Sequence, residues 1–256
     1  MIWSNYEQFK LNLSYKLLEI GMSLYEAKEG GLVGTAIGAI TRHIRENDLL
    51  PGDKLPSEAN LSRELNVSRT VVREAYRSLA AMRIIELATG KRATVSPIDH
   101  GAMSLIFEHG VYTDQINIQQ IYDVRRTIES RIVVLASIRR SDAEATAILA
   151  IARAMRKAAN NPEELMEQDL AFHRALAAAS KNPVFALIVG AFQGITRQTW
   201  LVGWKSRTTA EAREAMLATH EGIAEAIGAG DPQRAVELMG VHFDESVRAL
   251  LSAGLS

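Results

Sequence analysis

Hydrophobic positions along this chain recur mostly at helical spacing, and the exceptions fall in one short window. Val33, Ile37, Ile40 and Ile44 step by four, three and four, which predicts an amphipathic helix. Pro51-Gly52-Asp53 then turns the chain. Ser57 is placed to cap a short helix from Glu58 to Leu65, with Leu61 and Leu65 on its apolar side. Asn66 and Val67 make a tight turn, and Ser68 caps a longer helix. Val72, Ala75, Tyr76, Leu79 and Met82 recur on the inner side of that helix, which leaves Arg69, Thr70, Arg73 and Arg77 facing outward. Ile84 to Leu87 and Ala93 to Val95 alternate as two short strands, joined through Thr89-Gly90-Lys91-Arg92. Pro97 to Gly101 reads as a linker.

From about Asn117 the pattern is helical throughout, with helices predicted near 117–139, 142–159, 163–180, 183–204, 209–228 and 232–252. They are separated by Ser141-Asp142, Asn161-Pro162, Asn182-Pro183, a polar stretch around Ser206 to Thr209, and Gly230-Asp231-Pro232, all helix-start signals or breakers. Abundant alanine favours helix and close helix–helix approach. The predicted fold is mainly α. A winged helix-turn-helix with a small β wing spans 32–97, a linker and short helix span 98–116, and an all-α bundle spans 117–253. Residues 1–31 form an extension with no assigned role, in which Tyr15 to Ala27 has the pattern of a short helix.

Composition narrows the function classes. At 256 residues and 47% hydrophobic content the chain can build two cores. With no cysteine there are no disulfides, thiolate metal sites or cysteine nucleophiles. No apolar run approaches the roughly 18 residues of a membrane helix, and the N-terminus lacks a signal-peptide pattern, so a cytoplasmic protein with no membrane contact is expected. The net charge of -1 hides a division. Residues 32–98 carry ten Lys+Arg against seven Asp+Glu, whereas residues 99–256 carry sixteen against nineteen. Only the first part has the charge to attract nucleic acid.

A helix that opens with hydroxyls and arginines suits major-groove reading, because guanidinium pairs bidentately with guanine and helix N-termini hold phosphates. The alternative is a helical hairpin with solvated arginines. PGDKLPSE, then L-N-V-S-R-T-V-V-R-E-A, then L-A-A-M-R-I-I-E resembles the winged helix-turn-helix of the GntR family of bacterial transcription regulators, from Val33 to Pro97. The resemblance implies DNA contacts by Ser68, Arg69, Thr70, Arg73 and the wing glycine Gly90, and the basic hairpin tip adds Lys91. Two positions depart from the family pattern. Ala59 stands where many members have arginine, and Met82-Arg83 replaces a common acidic-glycine pair before the wing.

In the second half, Asp169 and His173 lie four apart on an otherwise apolar stripe with Leu165 and Leu176. His220 shares a stripe with Met216, Ile223 and Ile227, and His242 with Leu238, Ser246 and Ala249. A single histidine on such a stripe is usually a hydrogen-bonded core residue. Three histidines and an aspartate facing inward from three helices are costly to bury without a shared partner, and a divalent cation satisfies all four. Imidazole and carboxylate suit zinc, nickel, manganese or iron, with zinc the first choice. D-L-A-F-H-R-A-L, T-H-E-G-I-A-E-A-I and G-D-P-Q-R-A-V-E-L-M-x-x-H resemble the FCD effector domain of the FadR subfamily, from about Ile118 to Leu251. That resemblance implies metal ligation by Asp169, His173, His220 and His242. It points away from members that bind fatty acyl-CoA, which lack this set, and toward regulators of sugar-acid catabolism of the galactonate or gluconate type.

Free coordination positions on such a metal would take a small carboxylate or sugar-acid effector. Arg125 could neutralise its charge, or could simply pair with Glu129 one turn away. Trp200, Trp204 and Arg248 are further pocket candidates. The expected protein is a homodimeric repressor on a palindromic double-stranded DNA operator, released by effector. The alternatives are a metal-dependent enzyme acting on a carboxylic acid, for which no general base stands out, and a DNA-binding protein with an inert bundle.

Overall fold

The computed structural model describes residues 31–255, so the expected Tyr15 to Ala27 helix lies outside them. The chain divides between Asp99 and His100 into two compact units.

In the first unit, α1 (Gly31–Glu46) and α2 (Glu58–Glu64) both pack on α3 (Arg69–Ala81). Both predicted caps form: Ser57 Oγ accepts from Asn60 N and Ser68 Oγ from Val71 N. Asn66 sits at φ 51 between α2 and α3, the left-handed conformation that asparagine tolerates best after glycine. Ile40, Leu55, Leu61, Val72, Ala75 and Leu79 form a dry core. Met82 does not join it. It is the C-cap of α3 and is 39% exposed, because the helix ends one residue before it. Arg83 then takes φ 58, the backbone conformation of the glycine it replaces, and its guanidinium pairs with Asp99 at 2.7 Å. The turn into the wing is thus kept, at a strain of about 1 kcal/mol for a non-glycine residue.

The strands are shorter than predicted. β1 (Ile85–Glu86) and β2 (Thr94–Val95) pair antiparallel, Ile85 opposite Val95 and Glu86 opposite Thr94. The other edge of β2 is occupied by residues 53–55, through Leu55 N to Ala93 O and Val95 N to Asp53 O, both 2.9 Å. Prolines at 51 and 56 bracket this third segment and obscured it in the sequence.

The second unit holds eight helices among the described residues: α4 (Gly101–Tyr112), α5 (Ile118–Arg139), α6 (Asp142–Lys157), α7 (Pro162–Ala179), α8 (Pro183–Ala191), α9 (Gln193–Ser206), α10 (Ala210–Ala229) and α11 (Pro232–Ser252). Their starts follow the sequence signals. Asn117–Gln120 and Ser141–Glu144 form reciprocal capping boxes, and prolines follow the caps Asn161, Asn182 and Asp231. Gly230, at φ 70, closes α10. α11 packs on α5 and α10, and α7 on α5 and α6. The predicted 183–204 helix is two helices, interrupted at Phe192. Glycines at 190 and 194 flank this point, and Phe192 is buried with its ring 4.8 Å from that of Phe107 on α4. α4, expected as a short helix within a linker, packs on both α8 and α9. Gly190 makes room for it, since a Cβ there would sit 2.5 Å from His100 Nδ1. Among the described residues no helix is long and apolar enough to cross a membrane.

Candidate functional site

The first unit presents the residues expected at DNA on its exterior. Ser68, Arg69, Thr70 and Arg73 are exposed on the N-terminal turns of α3, and Gly90 (φ 72) and Lys91 are exposed at the wing turn. Arg69 carries no ion pair among those of the described residues. Arg73 is already engaged: its Nε and Nη2 donate to Glu58 of α2 at 3.2 and 3.0 Å, and that carboxylate raises its pKa. Arg92 differs from its neighbour Lys91. Its Nε and Nη2 donate to the Leu55 carbonyl at 2.9 and 2.5 Å, so this arginine ties the wing to the preceding segment. Tyr76 OH donates to the Pro56 carbonyl at 2.5 Å, fixing α3 against the approach to α2, and burial pushes its pKa up to about 12.

In the second unit, α7 places Asp169 and His173, α10 places His220 and α11 places His242, all buried. One ring nitrogen from each histidine lies within 4.8 Å of the others. His220 Nε2 is 2.9 Å from Asp169 Oδ1, and His173 Nε2 is 4.0 Å from the same oxygen. The outer nitrogens fix the tautomers. His220 Nδ1 donates to the Met216 carbonyl at 2.7 Å, and His173 Nδ1 makes a short bond to Glu129 Oε2. His220 and His173 therefore both present Nε2 toward Asp169. His173 Nε2 is buried with no hydrogen-bond partner, a group that is expensive to leave unpaired.

Behind His173 runs a buried relay. Glu129 Oε1 accepts from Arg125 Nε at 2.9 Å, and Arg125 Nη1 donates to Thr196 Oγ1 at 3.0 Å. Arg125 also lies 5.3 Å from the ring centres of Tyr122 and Phe243. Burial alone would raise the Asp169 pKa, but the His220 hydrogen bond and the three histidines outweigh it and hold the carboxyl well below its usual range. Burial would likewise raise Glu129, and His173 with Arg125 reverses the shift. Burial and the neighbouring His220 and His173 push His242 far down, leaving a neutral imidazole with a lone pair to offer. The donor set fits a divalent cation: three imidazole nitrogens, one ionised carboxylate, an orphaned Nε2, and outer hydrogen bonds that aim the rings. Tyr122, Thr196, Thr199, Trp200, Gly203 and Arg207 line the adjoining cavity.

The profile described as "Bacterial regulatory proteins, gntR family" matches residues 32–95, and that described as "FCD domain" matches residues 120–245. The "Fatty acid metabolism regulator protein" of Klebsiella pneumoniae is 30% identical over 210 residues, 80% of this chain and 85% of the relative. This chain belongs to the GntR family. The HTH-type transcriptional regulator LutR of Bacillus subtilis is 28% identical over 206 residues, 78% of this chain and 92% of that protein. The "Galactonate operon transcriptional repressor" of Escherichia coli is 28% identical over 170 residues, 62% of this chain and 73% of that protein. Among solved structures, the chain resembles Streptococcus agalactiae GntR with a TM-score of 0.61 and 26% identity, covering 84% of this chain and 98% of that one. The protein is accordingly a DNA-binding transcription regulator and not an enzyme.

In this GntR regulator Asp169, His173, His220 and His242 come together, and Arg125 and Trp200 line the same cavity. Arg248 does not; it lines a separate cleft with Ser206, Arg207, Thr209, Glu245 and Ser252. Trp204 is buried, stacked on Trp200 with Arg213 4.9 Å from its ring centre. Sequence reasoning missed Thr196, Thr199 and Arg207. The first two left a signal, since Thr196, Thr199 and Gly203 repeat at three and four along α9, small and polar beside Trp200.

Proposed function

We propose that this regulator represses from a palindromic operator as a homodimer. A small carboxylic or sugar acid then releases it by binding beside a divalent metal, zinc foremost, held by Asp169, His173, His220 and His242. The observation that carries this reading is the orphaned His173 Nε2 facing Asp169 among three imidazoles, at the wall of a cavity that Arg125 also lines. The metal supplies a Lewis-acidic anchor for a carboxylate or hydroxyl oxygen. The protein's own groups do the rest. Glu129 fixes the tautomer of His173, the Met216 carbonyl fixes that of His220, and Arg125 offers N–H groups beyond the two used on Glu129 and Thr196. The galactonate repressor among its relatives supports an acid effector.

The test is a thermal-shift screen against carboxylic and sugar acids, with and without chelator, followed by operator binding by fluorescence anisotropy. An acid at about 100 times its dissociation constant should add about 2.7 kcal/mol of stability. That gain, and release of the operator, should vanish with chelator and in His220→Ala. A bundle indifferent to every acid and to chelation would overturn the reading and leave the histidines structural.

A further inference from the structure

The cavity beside the histidines is small. The space open to the centre of a water molecule is ≈ 40 Å³. Organic ligands usually occupy about 300–1,000 Å³. The cleft that Arg248 lines has ≈ 380 Å³ by the same measure. The two spaces share one residue, Arg207, at the C-terminal end of α9.

Arg207 is half-buried. Its Nη1 donates to the Gly203 carbonyl at 2.7 Å, and it forms no ion pair among those of the described residues. Burial lowers its pKa, while Asp169 on the inner side and Glu245 on the outer side both pull the other way. A guanidinium set between two carboxylates without bonding either has donors to give to a passing ligand. The outer cleft is of mixed polarity: Arg248 donates, Glu245 accepts, and Ser206, Thr208, Thr209 and Ser252 carry hydroxyls. No ion pair joins Glu245 to Arg248 among those of the described residues.

We propose that the effector spans both spaces, with its acid head among the histidines, its chain passing Arg207, and a polyhydroxylated tail in the outer cleft between Glu245 and Arg248. This rests on the acid-effector reading above and selects within it. A sugar-acid tail can both donate to Glu245 and accept from Arg248. A two-carbon acid fills only the inner space.

The experiment is isothermal titration of the full-length, metal-loaded protein with acetate and with the six-carbon aldonates D-gluconate and D-galactonate. At least one aldonate should bind about 100-fold tighter than acetate, and the aldonate-to-acetate ratio should fall roughly tenfold in each of Glu245→Gln and Arg248→Gln. Both side chains reach solvent, and circular dichroism confirms that the variants fold. Equal affinity for acetate and the aldonates, or a ratio unmoved by both variants, overturns the two-chamber proposal and leaves the acid-effector reading standing. Binding of neither class overturns both.

Discussion

Glu129→Gln tests whether the buried relay holds the site in register. Glu129 is 1% exposed and accepts from Arg125 Nε, itself 5% exposed, and from His173 Nδ1. Glutamine keeps the shape but turns one oxygen into a donor. If the amide nitrogen faces Arg125, a buried guanidinium loses its counter-charge. If it faces His173, that ring must accept at Nδ1 and carry its proton on Nε2, where it can no longer ligate a metal. Breaking a buried pair at one partner typically costs about 3–5 kcal/mol, and the neutral hydrogen bond that remains should trim this to roughly 2–4. Metal affinity should fall about 10–100-fold, the usual penalty for losing an outer-shell partner.

Urea unfolding is followed by tryptophan emission in a Trp3→Phe background, so that Trp200 and Trp204 report on the bundle alone. Measurement in chelator separates folding from metal linkage, and competition with a chromogenic chelator gives the metal affinity. Arg125→Met combined with Glu129→Gln completes the cycle and should recover about 2 kcal/mol relative to the summed single variants. A single-variant cost below about 1 kcal/mol with unchanged metal affinity, or strict additivity, would refute the relay.

Two further outcomes are expected. Arg69→Ala and Arg73→Ala should each lose roughly 1–3 kcal/mol on the cognate operator and relax specificity at one base position, read by competition against single-base operator variants; uniform weakening on all sequences would assign these arginines to phosphates. In the Ser141 capping box, the hydrogen bond from Lys181 and those from Ser141 depress Glu144 from 4.5 to about 2. Its contribution is therefore present above pH 4.5 and lost as pH falls toward 2. The pair is largely solvated, so Glu144→Gln should lower Tm by only about 1–2 °C at pH 6, with the gap closing as pH falls from 4.5 to about 2.

Much of this architecture was legible because its signals are local. Ser57, Ser68, Asn117, Ser141, Asn161, Asn182 and Asp231 all cap the helices they announce, since a cap needs only a side-chain oxygen and a backbone turn. The buried grouping of Asp169, His173, His220 and His242 was legible because histidine and aspartate are out of place on apolar stripes. What escaped depends on distant contacts. The break at Phe192 comes with burial against Phe107, 85 positions earlier, and the third wing segment depends on partners near residue 94. Arg248, a pocket candidate from the sequence, lines a separate cleft instead, because which of two spaces a long side chain enters depends on the packing around α11.

On the proposed function, the tetrad has to act as a switch inside a stable bundle. His220 bridges the Met216 carbonyl through Nδ1 and Asp169 through Nε2, so the ring is held from both sides. A metal held by Asp169, His173, His220 and His242 would also give His173 Nε2 the partner it lacks. A ligand that switches the protein need supply only the difference in free energy between two conformations. Moving a regulator from 1% to 99% released takes about 5.5 kcal/mol of differential affinity. On the two-chamber proposal, a carboxylate on the metal would contribute part of this, and contacts along Arg207 and the outer cleft would supply the remainder. Short acids should therefore occupy the inner space without releasing the operator, while a chain that reaches Arg248 should do both.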